Sequence, residues 1–178
     1  MKIYVACGLT HVPSDDFAEY VETIHGIAND VLNFVPDSEV KYALVNSDPQ
    51  LSERKAEDKA KLCYIWDRHM VEEADLVIAE ASFPSTGLGI ELQIAEMHGT
   101  PVVLLYRDFG HNRAPHKSYK NPGSPGTHEL QVGEGFITLM ALGLPNVFKV
   151  AQYDSREDCL TVVRQTLALL INSQAFNA

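Results

Sequence analysis

Two short apolar runs, residues 75–81 (DLVIAEA) and 101–106 (PVVLLY), limit this chain more than anything else in it. Neither alternates polar with apolar, and each is bounded by turn residues. They therefore read as strands covered on both faces, the habit of a parallel sheet. Residues 2–7 and 40–45 read as two further strands and 146–152 as a fifth. Helices fall between them. Phe17, Val21, Ile24, Ala28 and Val31 repeat at helical spacing behind an N-cap at Ser14. A long helix is expected over about 52–73, and another from the Pro84-Ser85-Thr86-Gly87-Leu88-Gly89 turn to His98-Gly99. Two more are expected at about 134–142 and from an S-x-x-D cap at Ser155 onward. The expected fold is α/β: one domain over 1–178 with a five-stranded, mostly parallel, doubly wound sheet and helices on both faces. Ligands in such sheets sit beyond the carboxyl ends of the strands, where strand order reverses. Chemistry is therefore expected at Gly8 and at residues 82–89.

Composition removes several classes of function. At 46% apolar residues the chain is no disordered or fibrous protein. No apolar run approaches the ~20 residues of a spanning helix, and residues 3–7 are too few for a signal-peptide core, so no membrane association is expected. Cys7, Cys63 and Cys159 are widely spaced, with no CxxC pair; this predicts a reducing cytoplasm and neither a disulfide framework nor a structural zinc site. With 24 acidic and 14 basic residues the net charge is −10, the wrong sign for a nucleic-acid polymer as partner. The basic residues concentrate in one stretch, where Arg107, Arg113, Lys117, Lys120, His111 and His116 face the single acid Asp108. Such a segment either serves one small anion or is a solvated loop. The region 107–133 is also long for an ordinary connection, as binding loops and lids are.

The 52–73 helix carries an anomaly. Ala56, Ala60, Cys63, Tyr64, Met70, Val71 and Ala74 fall within about 60° of one direction, and Asp67 lies in the middle of that arc. A carboxylate buried without partners costs several kcal/mol, so it must be neutralised, hydrogen-bonded or open to a cavity. Asp67 thus either ties down a neighbouring loop or works in a site.

The turn at 84–89 offers two glycines and the first amides of a helix, which suit an anion or a hydroxyl-rich group. The third glycine of a dinucleotide fingerprint is missing, and the turn Gly8-Leu9-Thr10-His11 has only one, which disfavours a nicotinamide dehydrogenase. Glu91 is expected in the first turn of its helix. There it either serves the macrodipole or is held ionised by it, while apolar surroundings raise Asp67. Two carboxyls pushed in opposite directions form the pairing that cleaves glycosidic bonds.

The run from Trp66-Asp67-Arg68-His69 through Glu73-Ala74-Asp75 into residues 76–80, continued by Pro84-Ser85-Thr86-Gly87-Leu88-Gly89-Ile90-Glu91-Leu92, resembles the nucleoside 2-deoxyribosyltransferase-like family. Residues 3–8 match that family's first strand and 101–106 its fourth. The resemblance implies a flavodoxin-like sheet, Glu91 as the nucleophile at C1′, Asp67 as its acid/base partner and Tyr4 beside both. Substrate contacts are expected at Gly8, Ser85, Thr86, Gly87 and Gly89; Thr10 and His11 stand where the monophosphate hydrolases carry an arginine, and they either contact the substrate beside the phosphate or are simple turn residues. The resemblance also implies a homodimer or higher homo-oligomer whose neighbouring subunit completes the pocket from roughly the 107–133 region; that region does not match the family, and Arg113, Lys117 and Ser118 are candidates from it for phosphate contacts in trans. Family members acting on free nucleosides tend to place a carboxylate where Ser85 stands, and the monophosphate hydrolases a serine. The expected activity is therefore N-glycosidic cleavage of (deoxy)nucleoside 5′-monophosphates, with no cofactor or metal required. Base exchange between free deoxynucleosides is the rival enzyme, and a non-catalytic nucleotide sensor the rival of another class.

Overall fold

The computed structural model describes residues 1–175, with side chains to residue 172. In chain order the elements are β1 (Lys2–Cys7), α1 (Ser14–Phe34), β2 (Glu39–Lys41), α2 (Ala43–Asn46), α3 (Asp48–Ser52), α4 (Ala56–Glu72) and β3 (Leu76–Glu80). There follow α5 (Thr86–Met97), β4 (Val102–Tyr106), β5 (Ser118–Tyr119), β6 (His128–Glu129), α6 (Leu139–Leu142), β7 (Val147–Gln152) and α7 (Arg156–Ala175). Five strands form one sheet in the order β2-β1-β3-β4-β7, and every neighbouring pair is parallel. The doubly wound α/β sheet is thus present. Strands β5 and β6 pair separately as an antiparallel ladder inside the 107–133 stretch.

Strand parity decides which side chain meets which helix. Ile3 and Val5 of β1, Leu76 and Ile78 of β3, and Val103 and Leu105 of β4 pack with α1 and α7. Tyr4 and Ala6, Val77 and Ala79, and Val102 and Leu104 lie on the other face, with Met70 and Val71 of α4 and Leu88, Leu92 and Ala95 of α5. All residues of β3 and β4 are buried, as their unbroken apolar runs required. Parity alone places Tyr4 beneath α5.

Several boundaries differ from those expected. The strand read over 40–45 ends at Lys41, because the Asn46 side chain accepts the Tyr42 amide (3.0 Å) and turns the chain into α2. Ser52 closes the short α3, so the long helix starts only at Ala56. At 134–142 only Leu139–Leu142 is helical: Gly133 and Gly135 adopt φ of 58° and 91°, which no helix accepts, and Thr138 caps what remains. Ser14 does not cap α1 but is its first residue, behind Pro13. The Ser155 cap is present, with its hydroxyl oxygen accepting from the Asp158 amide at 3.2 Å.

The apolar stripe of α4 is covered only at its far end. Met70 and Val71 are buried, whereas Ala56 and Ala60 are not and Tyr64 is half exposed. The reason is length. Seventeen helical residues run about 25 Å, against about 17 Å for the five-residue β3 that follows. The first half of α4 therefore overhangs the carboxyl edge of the sheet, and Asp67 stands where the helix passes that edge.

Candidate active site

The strand order reverses at β1, which is flanked by β2 on one side and β3 on the other. A cavity of about 370 Å3 opens there, within the range of small-molecule sites. Leu9, Thr10 and His11 line it after β1, and Ser85, Thr86, Gly87, Leu88 and Glu91 after β3. Ala43, Ser47, Asp48 and Leu51 form its wall after β2, and α4 contributes Cys63 and Asp67. Residues remote in sequence, Asp67 and Glu91, therefore share one cavity.

Glu91 is the sixth residue of α5, not part of its first turn, and is directed inward with 9% exposure. The Tyr4 hydroxyl donates to its Oε1 at 2.7 Å, while Oε2 is buried with no partner among the described residues. Burial raises the Glu91 pKa to about 8; the Tyr4 hydrogen bond opposes the shift and the Asp67 charge adds to it. The ionised Glu91 expected from the helix field is thus corrected, because it sits one turn too deep to face the free amides and desolvation dominates. Tyr4 is itself driven well above the ordinary tyrosine range, first by burial and then by Glu91, so it remains a donor. Asp67 accepts from the Cys63 thiol at 3.3 Å through Oδ2, and its Oδ1 is also buried and unpartnered among the described residues. Burial and the adjacent Asp67 raise the Cys63 thiol to about 11, which keeps it protonated as that donor.

Ser85 is the N-cap of α5, its hydroxyl oxygen accepting the Leu88 amide at 3.1 Å. The hydroxyl hydrogen stays free for an acceptor in the cavity. Gly8 lies behind Ser85 rather than in the lining: a Cβ there would stand 2.5 Å from the Ser85 Cβ. Only glycine lets β1 end so close to the α5 cap. Gly87 lines the cavity, but Gly89 is exposed outside it. A helix places residues two apart on different sides, so the expected substrate contact at Gly89 is corrected. Thr10, His11, Ser85 and Thr86 all line the cavity.

The basic segment does not supply this cavity. Arg107 pairs with Glu19 and His111 with Asp16. Arg113 donates to the Glu134 carbonyl at 2.7 Å and lies over the Phe136 ring, while Ser118 pairs in the β5–β6 ladder. None of Arg113, Lys117 and Ser118 lines the cavity of their own chain.

Two features were not legible as site residues. The α2–α3 wall reads in sequence as a mere turn, because Asn46-Ser47-Asp48-Pro49 is turn chemistry. Glu80 closes β3 on the α1/α7 face, fully buried. It accepts from the Ser82 amide (3.3 Å), the Ser82 hydroxyl and the Tyr153 hydroxyl (3.1 Å). Burial nevertheless raises its pKa, which favours the neutral form. Ser82 in turn accepts the Arg107 amide at 2.7 Å, and Asn112 donates to the Ser82 carbonyl at 2.9 Å. This cluster fixes the loop that carries Ser85. Its sequence signal was an acid inside a run buried on both faces.

Among the described residues, no group of three or more His, Cys, Asp or Glu is placed to hold a metal ion, and no helix is long and apolar enough to cross a membrane.

No family model matches the chain. It is 30% identical over 105 residues to the "Putative 2′-deoxynucleoside 5′-phosphate N-hydrolase 1" of Syntrophotalea carbinolica, covering 59% of this chain and 57% of that protein. It is 44% identical over 39 residues to a protein of the same name from Thermofilum pendens, covering 22% and 27%. The matches thus span less than two thirds of either relative. Among solved structures, a conserved protein of Enterococcus faecalis V583 matches with a TM-score of 0.58 at 20% identity, over 93% of this chain and 98% of that one. The CMP N-glycosidase of Clostridium botulinum matches with a TM-score of 0.50 at 18% identity, over 95% and 99%. At those identities the structural likeness establishes the fold, and the resemblance read at residues 66–92 is borne out by the names of the curated relatives.

Proposed function

We propose that this chain cleaves the N-glycosidic bond of (deoxy)nucleoside 5′-monophosphates through Glu91. The observation that carries the reading is the buried Glu91 carboxyl, with one oxygen held by Tyr4 and the other free, in the same cavity as the equally unpartnered Asp67 Oδ1. A raised pKa makes the carboxylate a stronger nucleophile once ionised, and the Tyr4 bond fixes which oxygen attacks. As Oε2 bonds to C1′, the C1′–N bond breaks, and the proton that Glu91 holds at rest passes to the Asp67 carboxylate and from it to the departing base. Water then attacks C1′, returning its proton to Asp67, and the C1′–O bond breaks to restore the Glu91 carboxylate. The names of the curated relatives support the substrate class. So does Ser85, whose free hydroxyl hydrogen and neighbouring α5 amides suit a 5′-phosphate.

One observation favours base exchange on free deoxynucleosides instead. The cavity holds Asp48, Asp67 and Glu91 and, of basic side chains, only His11, a poor balance for a dianion within one chain. Incubating the protein with deoxynucleoside monophosphates and with free deoxynucleosides, each with and without a second free base, separates the two. Free base from monophosphates is the expected result; a new nucleoside formed from the added base establishes transfer; release from no substrate overturns both.

Ser85→Asp sharpens the choice, because aspartate also caps helices and keeps the fold. It should lower kcat/KM for a monophosphate at least about 100-fold, by charge repulsion, and spare the matching free nucleoside. Equal loss on both substrates would remove Ser85 from the 5′ end.

A further inference from the structure

The two walls of the cavity differ in chemistry. On the β3 side stand the α5 amides with Ser85, Thr86 and Gly87, and on the β2 side stand Ala43, Ser47, Asp48 and Leu51. On the glycosidic reading, on which this inference rests, a substrate with its 5′ end at Ser85 and C1′ at Glu91 must extend its base away from α5. The wall it meets is built for a ring: Leu9, Ala43 and Leu51 are apolar, and the Ser47 hydroxyl is buried and already donates to the Ala43 carbonyl at 3.4 Å. Asp48 is the polar side chain left there. It has no hydrogen-bond or ion-pair partner among the described residues. Its charge contributes to the raised Cys63 thiol on α4, so the carboxylate is felt at the α4 wall.

We infer that Asp48 reads the base edge and selects bases bearing an exocyclic amino group over their keto counterparts. A carboxylate only accepts hydrogen bonds, so the group opposite must donate. The 4-amino group of cytosine and the 6-amino group of adenine do so, as in carboxylate recognition of cytosine elsewhere. The 4-oxo group of uracil and the 6-oxo group of hypoxanthine instead set one acceptor against another. Asp48 is exposed at the cavity rim, so the discrimination is modest.

The test measures base release by the full chain from the pairs dCMP/dUMP and dAMP/dIMP, and from the corresponding free deoxynucleosides. Wild type should prefer the amino member of each pair by about 5- to 10-fold. Asp48→Asn can turn its amide N–H towards a keto oxygen and should bring the ratio to parity or invert it, and Asp48→Ala should flatten it. Both variants should keep the wild-type Tm, since the side chain bonds to nothing among the described residues. Parity in wild type, or an unchanged ratio in Asp48→Asn, overturns the assignment while base release continues and the glycosidic reading stands. Release from none of the substrates overturns that reading, and this one with it.

Discussion

Glu91→Gln is expected to lower base release by at least about a thousandfold while making the folded protein more stable at alkaline pH. The first effect follows from removing the oxygen that attacks C1′; an amide of the same shape still accepts from Tyr4 but cannot form the glycosyl-enzyme. The second follows from the raised pKa. Between about 4.5 and about 8 the folded protein keeps the Glu91 proton while the unfolded chain has lost it. The native state then binds more protons, so stability falls as pH rises through that window, and above it the full penalty remains. At about 1.4 kcal/mol per pKa unit the cost reaches a few kcal/mol. Glutamine never ionises and escapes it. Thermal melting of both proteins from pH 5 to 9 should show two curves that diverge as pH rises, the variant above. Wild-type kcat/KM should fall as pH rises past about 8, where the pair loses the one proton that it passes to the departing base. Coincident melting curves would place Glu91 in water, and retained activity would dispose of it as nucleophile.

Glu80→Ala should destabilise the fold by about 3–5 kcal/mol, far more than an exposed carboxylate would. It removes the acceptor of the Ser82 amide, the Ser82 hydroxyl and the Tyr153 hydroxyl, all in a fully buried place, and each orphaned donor costs about 1–3 kcal/mol. A cavity between β3 and α7 adds to the loss. Glu80→Gln separates hydrogen bonding from charge. Burial favours the neutral carboxyl, so a neutral amide whose oxygen takes the same bonds should keep most of the stability. Urea denaturation of the three proteins decides it, and a glutamine variant as weak as the alanine one would mean that the group works as an anion. Activity should fall with the alanine change too, because Ser82 anchors the loop that presents Ser85.

Asp67 and Glu80 carry the same kind of signal in the sequence, a carboxyl where periodicity demands an apolar side chain. Local pattern shows that such a group must be neutralised or partnered, but not by what. For Asp67 the answer is an open cavity edge and one thiol; for Glu80 it is a closed ring of hydroxyls and amides. The α2–α3 wall left no periodic trace, since two helices of four and five residues carry no face to read.

Strand parity, helical period and capping act over a few residues. The linear chain therefore already contained the sheet, its parallel strands, the turn at Ser85 and the pair Asp67 and Glu91. Which carboxyl is perturbed, that Tyr4 holds it, that Gly89 stands outside and that Asp48 faces the same space emerged only in the folded molecule. Those outcomes depend on desolvation and on the meeting of side chains up to 87 positions apart, and neither quantity exists until the chain has closed around them.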